Sequence, residues 1–201
     1  MILLTETLYN PPVSYFWHAL RAESLVLERH ENYIKQSYRN RCLVLTAQGV
    51  QPLSVPVLRG NSKDKTLITE IEIDYTQKWH NVHWRTIQTA YGRAPYFEFY
   101  SDYLRAVYER RPKYLFQLNV DLLRLCLKLL KLNKPLGFTE AYQPTGADNV
   151  LDLRSRIHPK IYPDILHVKP YTQVFGKQFA PELSIIDLLF TQGPASHLYL
   201  Q

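Results

Sequence analysis

Residues 28–41, Glu28-Arg29-His30-Glu31-Asn32-Tyr33-Ile34-Lys35-Gln36-Ser37-Tyr38-Arg39-Asn40-Arg41, form the densest polar stretch of the chain. Its second half holds three cations, Lys35, Arg39 and Arg41, and no acid, interleaved with Tyr38 and Asn40. Arginine offers a planar fork of donors and lysine a point charge, so such a loop suits a phosphate or carboxylate; a solvated connector paired with nearby glutamates has the same composition. Trp79-His80-Asn81-Val82-His83-Trp84 places two imidazoles three residues apart, on one face of a helix. Neutral imidazole serves proton transfer near pH 7, whereas a metal needs a third and usually a fourth ligand. No neighbouring Cys or Glu supplies one at the usual spacing, so we expect a structural role or a proton-transfer role for His83, and no metal. Glu70, Glu72 and Asp74 alternate along a segment that reads as a strand. One solvent-facing side explains that pattern without a bound cation.

These groups must be positioned by a chain of 201 residues, 46% hydrophobic and 21% charged, which is rich enough in apolar residues to exclude disorder. The length agrees with one domain over residues 1–201. Cys42 and Cys126 lie inside apolar runs, which excludes a disulfide framework or a zinc ribbon and points to a reducing compartment. The start, Met1-Ile2-Leu3-Leu4-Thr5-Glu6, has no basic region of a secretory signal. The apolar stretch over residues 114–132 is interrupted by Asp121, Arg124, Lys128 and Lys131, so no membrane span is expected and the protein reads as cytoplasmic. The net charge of +6 is spread without a basic block, which argues against a nucleic-acid partner. The seven glycines build neither a phosphate-binding loop nor a dinucleotide fingerprint, and no Gly-x-Ser-x-Gly elbow occurs; no cofactor is indicated.

The patterning predicts a mixed α/β, α+β-like fold rather than a doubly wound sheet. Its N-terminal third is strand-rich: short strands at residues 2–4 and 24–28 flank a helix that starts after Pro11-Pro12, and Arg41-Cys42-Leu43-Val44-Leu45-Thr46 and Gln51-Pro52-Leu53-Ser54-Val55-Pro56-Val57 form a hairpin around Gly49. Residues 66–74 alternate as a half-buried strand. Helical periodicity then runs to about residue 132, with Asp121, Arg124, Lys128 and Lys131 on one stripe. The aromatic residues Tyr91, Tyr96, Phe97, Phe99, Tyr100, Tyr103 and Tyr108 read as core ahead of a sugar-stacking platform. Residues 133–182 are irregular or carry short strands, one of them over 138–142, and residues 185–190 form a terminal short helix ahead of Gly193-Pro194.

Five segments, in order, resemble the WbqC-like family. They are Tyr9-Asn10-Pro11-Pro12-Val13-Ser14-Tyr15-Phe16; residues 31–41 with their Lys-x-Ser-aromatic-x-Asn-Arg pattern; Leu53-Ser54-Val55-Pro56-Val57; Trp79 and His83-Trp84 leading to Tyr91 and Ala94-Pro95; and Leu183-Ser184-Ile185-Ile186-Asp187-Leu188-Leu189-Phe190 with Gly193. The family is found among bacterial genes for O-antigen and other surface-sugar biosynthesis. The resemblance therefore implies acyl or aminoacyl transfer to an amino sugar or, alternatively, a non-catalytic binding or scaffold protein of that pathway. On the basic loop itself we expect a small anionic substrate, a nucleotide sugar or acyl donor, with Lys35, Arg39 and Arg41 holding its diphosphate, Tyr38 and Asn40 orienting it and Tyr9 alongside. Where many members carry His-Gln-Pro this chain has Thr5-Glu6-Thr7, so the role of base passes to His83 or Glu6.

Overall fold

A computed structural model describes residues 1–58, 65–144, 148–159 and 168–201. Four short strands form one parallel sheet: β1 (Ile2–Thr5), β2 (Ser24–Leu27), β5 (Leu136–Phe138) and β6 (Val150–Asp152), in the order β5-β2-β1-β6. Between β2 and β5 in the chain lie β3 (Arg41–Thr46) and β4 (Gly49–Ser54), a separate antiparallel hairpin. The apolar run of β1 is hydrogen-bonded on both sides, Ile2 opposite Ser24 and Val150, as suits a central strand. Parallel neighbours need a crossover. Helix α1 (Val13–Arg21) supplies it between β1 and β2, burying Tyr15, Phe16 and Ala19.

Pro12 stands extended before α1 and contributes no side-chain cap. The first turn is instead held by a distant segment: Leu183 O accepts from Val13 N at 3.0 Å, and the Ser14 hydroxyl donates to buried Glu182. The hairpin turns at Gly49, whose φ of 96° is readily adopted only without a Cβ. Among the described residues strand β4 pairs with β3 alone, which leaves Pro52 the edge position that its missing N–H requires.

Helices α2 (Trp79–Tyr91), α3 (Phe97–Glu109) and α4 (Leu115–Leu129) follow, and near the end α5 (Ile185–Gln192) and α6 (Ser196–Tyr199). The sequence-read mixed α/β class is what the chain adopts, with β1 to β4 ahead of the middle helices and the short β5 and β6 in the irregular stretch before α5. Helix α5 is buried over Ile185, Ile186, Leu188 and Leu189 and stops at Gly193, whose φ of 52° lets the Tyr96 ring sit where a Cβ would lie only 2.4 Å from it. Cys42 and Cys126 are buried thiols. Among the described residues no helix is long and apolar enough to cross a membrane.

Residues 66–74 depart from the expected strand. Their pairings are isolated bridges, Asn32 to Leu67, Val57 to Ile73 and Glu72 to Tyr114, around a 3-10 turn at Ile68–Glu70. The turn packs on α4 and buries Ile68 together with Ile71 and Ile73, residues of both parities, so strict alternation does not describe the segment. Glu70, Glu72 and Asp74 consequently share no strand face: Glu70 is exposed, Glu72 pairs with Lys113 at 2.9 Å, and Asp74 accepts from Thr76. The strand expected over residues 138–142 lies earlier, because its partner β2 ends at Leu27 opposite Phe138. Phe99 and Tyr103 of the aromatic run face outward, at 67% and 51% exposure, while Tyr91, Phe97 and Tyr108 are core.

Candidate substrate-binding site at the sheet edge

All four strands point the same way, so the residues that follow them emerge on one edge. Glu6 follows β1, Glu28 follows β2, Thr139 follows β5, and Arg154 and Ser155 follow β6. The strand order reverses at β1, with β2 and β5 on one side and β6 on the other. Open parallel sheets bind ligands outside their carboxyl ends at such a reversal.

Glu6 spans it. Its carboxylate accepts from Ser155 N at 3.1 and 2.9 Å and faces Arg39 Nη1 at 3.4 Å. Arg39 is 1% exposed and grips Glu31 with its fork, Nε to Oε1 at 2.9 Å and Nη2 to Oε2 at 2.5 Å, while Nη2 also donates to Ser155 Oγ. Beside it Arg154 donates to Glu28 at 2.8 Å and, through Nε and Nη2, to both oxygens of Asp152. Thr139 Oγ1 and His30 N complete the shell of Glu28. Burial raises the pKa of Glu6 and of Glu31 above the ordinary carboxylate value, and Arg39 opposes it. Asp152 is held below that range by the Arg154 hydrogen bonds.

The remaining loop residues are spent on local architecture. Tyr38 is buried and its carbonyl accepts from Tyr9 N at 2.8 Å; Asn40 Nδ2 donates to Val55 O at 2.9 Å; Arg41 Nε donates to Ser54 Oγ at 3.2 Å; Lys35 is exposed. The fold therefore brings Glu6 to Arg39, and Tyr9 to His83, as two separate groups. Among the described residues, the side chains of Lys35, Asn40 and Arg41 form no hydrogen bond or ion pair with either pair.

His83 belongs to a buried chain. Its Nδ1 lies 2.8 Å from Tyr9 Oη, which lies 2.9 Å from Tyr108 Oη, which accepts from Asn10 Nδ2 at 2.9 Å. Asn10 can only donate through Nδ2, and His83 also makes a backbone hydrogen bond to Ser54. A consistent reading runs one way, Asn10 to Tyr108 to Tyr9 to a neutral His83. Burial lowers the imidazole to about 4. His80 instead accepts at Nε2 from Arg111 Nη2, 2.9 Å away, so the two histidines of α2 serve different partners.

The same edge also has an open part to which the sequence patterns gave no role. A cavity of about 450 Å³ lies where Arg29 and His30, just past β2, and Phe138, the last residue of β5, meet Phe116 and Arg124 of α4. The sequence signal was present: Arg29-His30 directly follows a strand, and Phe116, Val120 and Arg124 recur every four residues on α4.

The WbqC-like family model matches residues 7–164 and 132–199. The chain belongs to the WbqC-like protein family. The match includes Glu28, Arg39 and Arg154 of the sheet edge and starts just after Glu6. The chain is also 28% identical over 228 aligned residues to Uncharacterized protein Rv1507c of Mycobacterium tuberculosis, covering 100% of this chain and 97% of that relative. No solved structure matches this WbqC-like chain.

Proposed function

We propose that this WbqC-like protein is a cytoplasmic transferase of bacterial O-antigen or surface-polysaccharide biosynthesis, which moves an acyl or aminoacyl group onto an amino sugar at the carboxyl edge of its parallel sheet. The observation that carries the reading is Glu6, a buried carboxylate of raised proton affinity standing where the strand order reverses. A carboxylate of raised proton affinity is a stronger base towards the proton of an attacking amine. In the step, the sugar nitrogen bonds to the donor's carbonyl carbon, the bond from that carbon to the leaving group breaks, and the amine proton passes to Glu6. Arg39 positions Glu6 and joins it to Glu31 and Ser155. His83 is the weaker candidate for base, since burial lowers its imidazole to about 4 while the carboxyl of Glu6 is shifted up.

A non-catalytic sugar-binding role in the same pathway is favoured by one observation: Glu6 is 1% exposed and already fully partnered. Incubation with nucleotide-linked amino sugars and acyl thioesters, read by mass spectrometry, separates the two. The transferase forms an acylated sugar, and Glu6→Gln, which keeps the shape and removes the base, lowers the rate at least about a hundredfold. Product formation unaffected by Glu6→Gln removes Glu6 from the chemistry. Ligand binding without product from any donor establishes the binding role.

A further inference from the structure

We propose that the cavity between α4 and the ends of β2 and β5 is a nucleoside diphosphate site, with Arg29 and Arg124 clasping the diphosphate and Phe116 and Phe138 receiving the base. Four observations converge on it. The cavity, about 450 Å³, is of the size small ligands occupy. No residue lining it is acidic. Arg29 and Arg124 are both exposed, and among the described residues neither guanidinium has an ion pair or hydrogen bond. Phe116 and Phe138 meet at 5.8 Å between ring centroids, tilted by 46°, and with Leu67 they give one end of the cavity an apolar wall.

The ligand class follows from that division. Two uncompensated guanidiniums over one cavity favour a dianion over a single carboxylate, because each planar fork can hold two oxygens of a different phosphoryl group. Apolar aromatic walls beside them favour a flat ring that stacks or meets their edges. His30 lines the cavity with its ring 3.2 Å from Thr139 O, and its backbone N donates to Glu28, the partner of Arg154, which joins the cavity wall to the strand ends. The inference rests on the proposed transferase only for the idea that the diphosphate carries the sugar; binding itself is read without turnover.

Calorimetric titration of the full chain with uridine diphosphate, uridine, inorganic phosphate and an aliphatic carboxylate tests it. Uridine diphosphate should bind at least about tenfold more tightly than any of the other three, and more weakly as salt rises. The exposed double variant Arg29→Gln/Arg124→Gln should lose at least about tenfold in affinity. Phe116→Leu should weaken uridine diphosphate and leave the weak binding of inorganic phosphate unchanged. No binding of uridine diphosphate at millimolar concentration, equal binding of inorganic phosphate, tighter binding of the aliphatic carboxylate, or full affinity in the double arginine variant would overturn the proposal. Intact binding with no acylated product sinks the transferase and leaves this site standing; acyl transfer without uridine diphosphate binding does the reverse.

Discussion

Two pairs of arginines flank the same edge of the parallel sheet and live in opposite electrostatic worlds. Arg39 and Arg154 are nearly buried, and their forks are taken up by Glu6, Glu31, Glu28 and Asp152. Arg29 and Arg124 are exposed over an open cavity and face no carboxylate in its lining. The inner pair must be satisfied inside the protein because solvent is absent, and a buried charge without a partner costs several kcal/mol. The outer pair is satisfied by water and so stays available to a ligand. Arginines that fasten strand ends and arginines that can hold an anion are told apart by their partners and not by their place in a basic run.

The sharpest way to break the comparison is to remove an inner arginine. Arg39→Ala leaves Glu6 and Glu31 facing each other in the interior and should cost about 3–5 kcal/mol in denaturant unfolding. That loss should shrink as pH falls, because the two carboxylates, whose proton affinity burial already raises, then take up protons and the uncompensated charge disappears. An unchanged midpoint would mean that the inner pair is no more structural than the outer one.

Glu182 extends the comparison to a buried carboxylate with no arginine. Burial pushes it up to about 7 from 4.5, with the Ser14 hydrogen bonds opposing. Its folded-state proton affinity exceeds the unfolded one, so the native state holds the extra proton and stability should fall as pH rises from about 4.5 to 7, by up to about 3 kcal/mol. Glu182→Gln should flatten that part of the stability profile measured by thermal unfolding.

Tyr9→Phe tests a neutral buried network in place of a charged one. It leaves His83 Nδ1 and Tyr108 Oη short of a partner and should cost about 1–3 kcal/mol in chemical denaturation, less than the loss of Arg39. The smallest effect belongs to the outer pair. Arg29→Gln/Arg124→Gln should move stability by no more than about 0.5 kcal/mol by the same measurement, and a larger change would show that these side chains hold the fold.

Local pattern made much of this fold legible. The proline-led entry of α1, the hairpin around Gly49, the helical run through α4 and the Ser184-led α5 are each written in neighbouring residues. The segment over residues 66–74 was misleading because alternation records burial of side chains, and a 3-10 turn with isolated bridges buries Ile68 as effectively as a ladder does. At the sheet edge, the polar stretch 28–41 supplies Glu28, Arg29, Glu31 and Arg39, but its order along the chain does not show the division of labour among them. Arg39 and Arg29 are alike as letters; Arg39 is turned inward by Glu31 and Glu6, while Arg29 stands at the rim with Arg124 from another element.

The sequence by itself determined most of the elements, the family and the supply of cations around residues 28–41, since these depend on periodicity, turn residues and short motifs. Only the tertiary structure decided the order β5-β2-β1-β6, and with it the meeting of Glu6, Arg39 and Ser155 and the opening of the Arg29–Arg124 cavity. The physical reason is that a buried charge chooses its partner by distance in space, and parallel strand order, which no local propensity encodes, sets that distance.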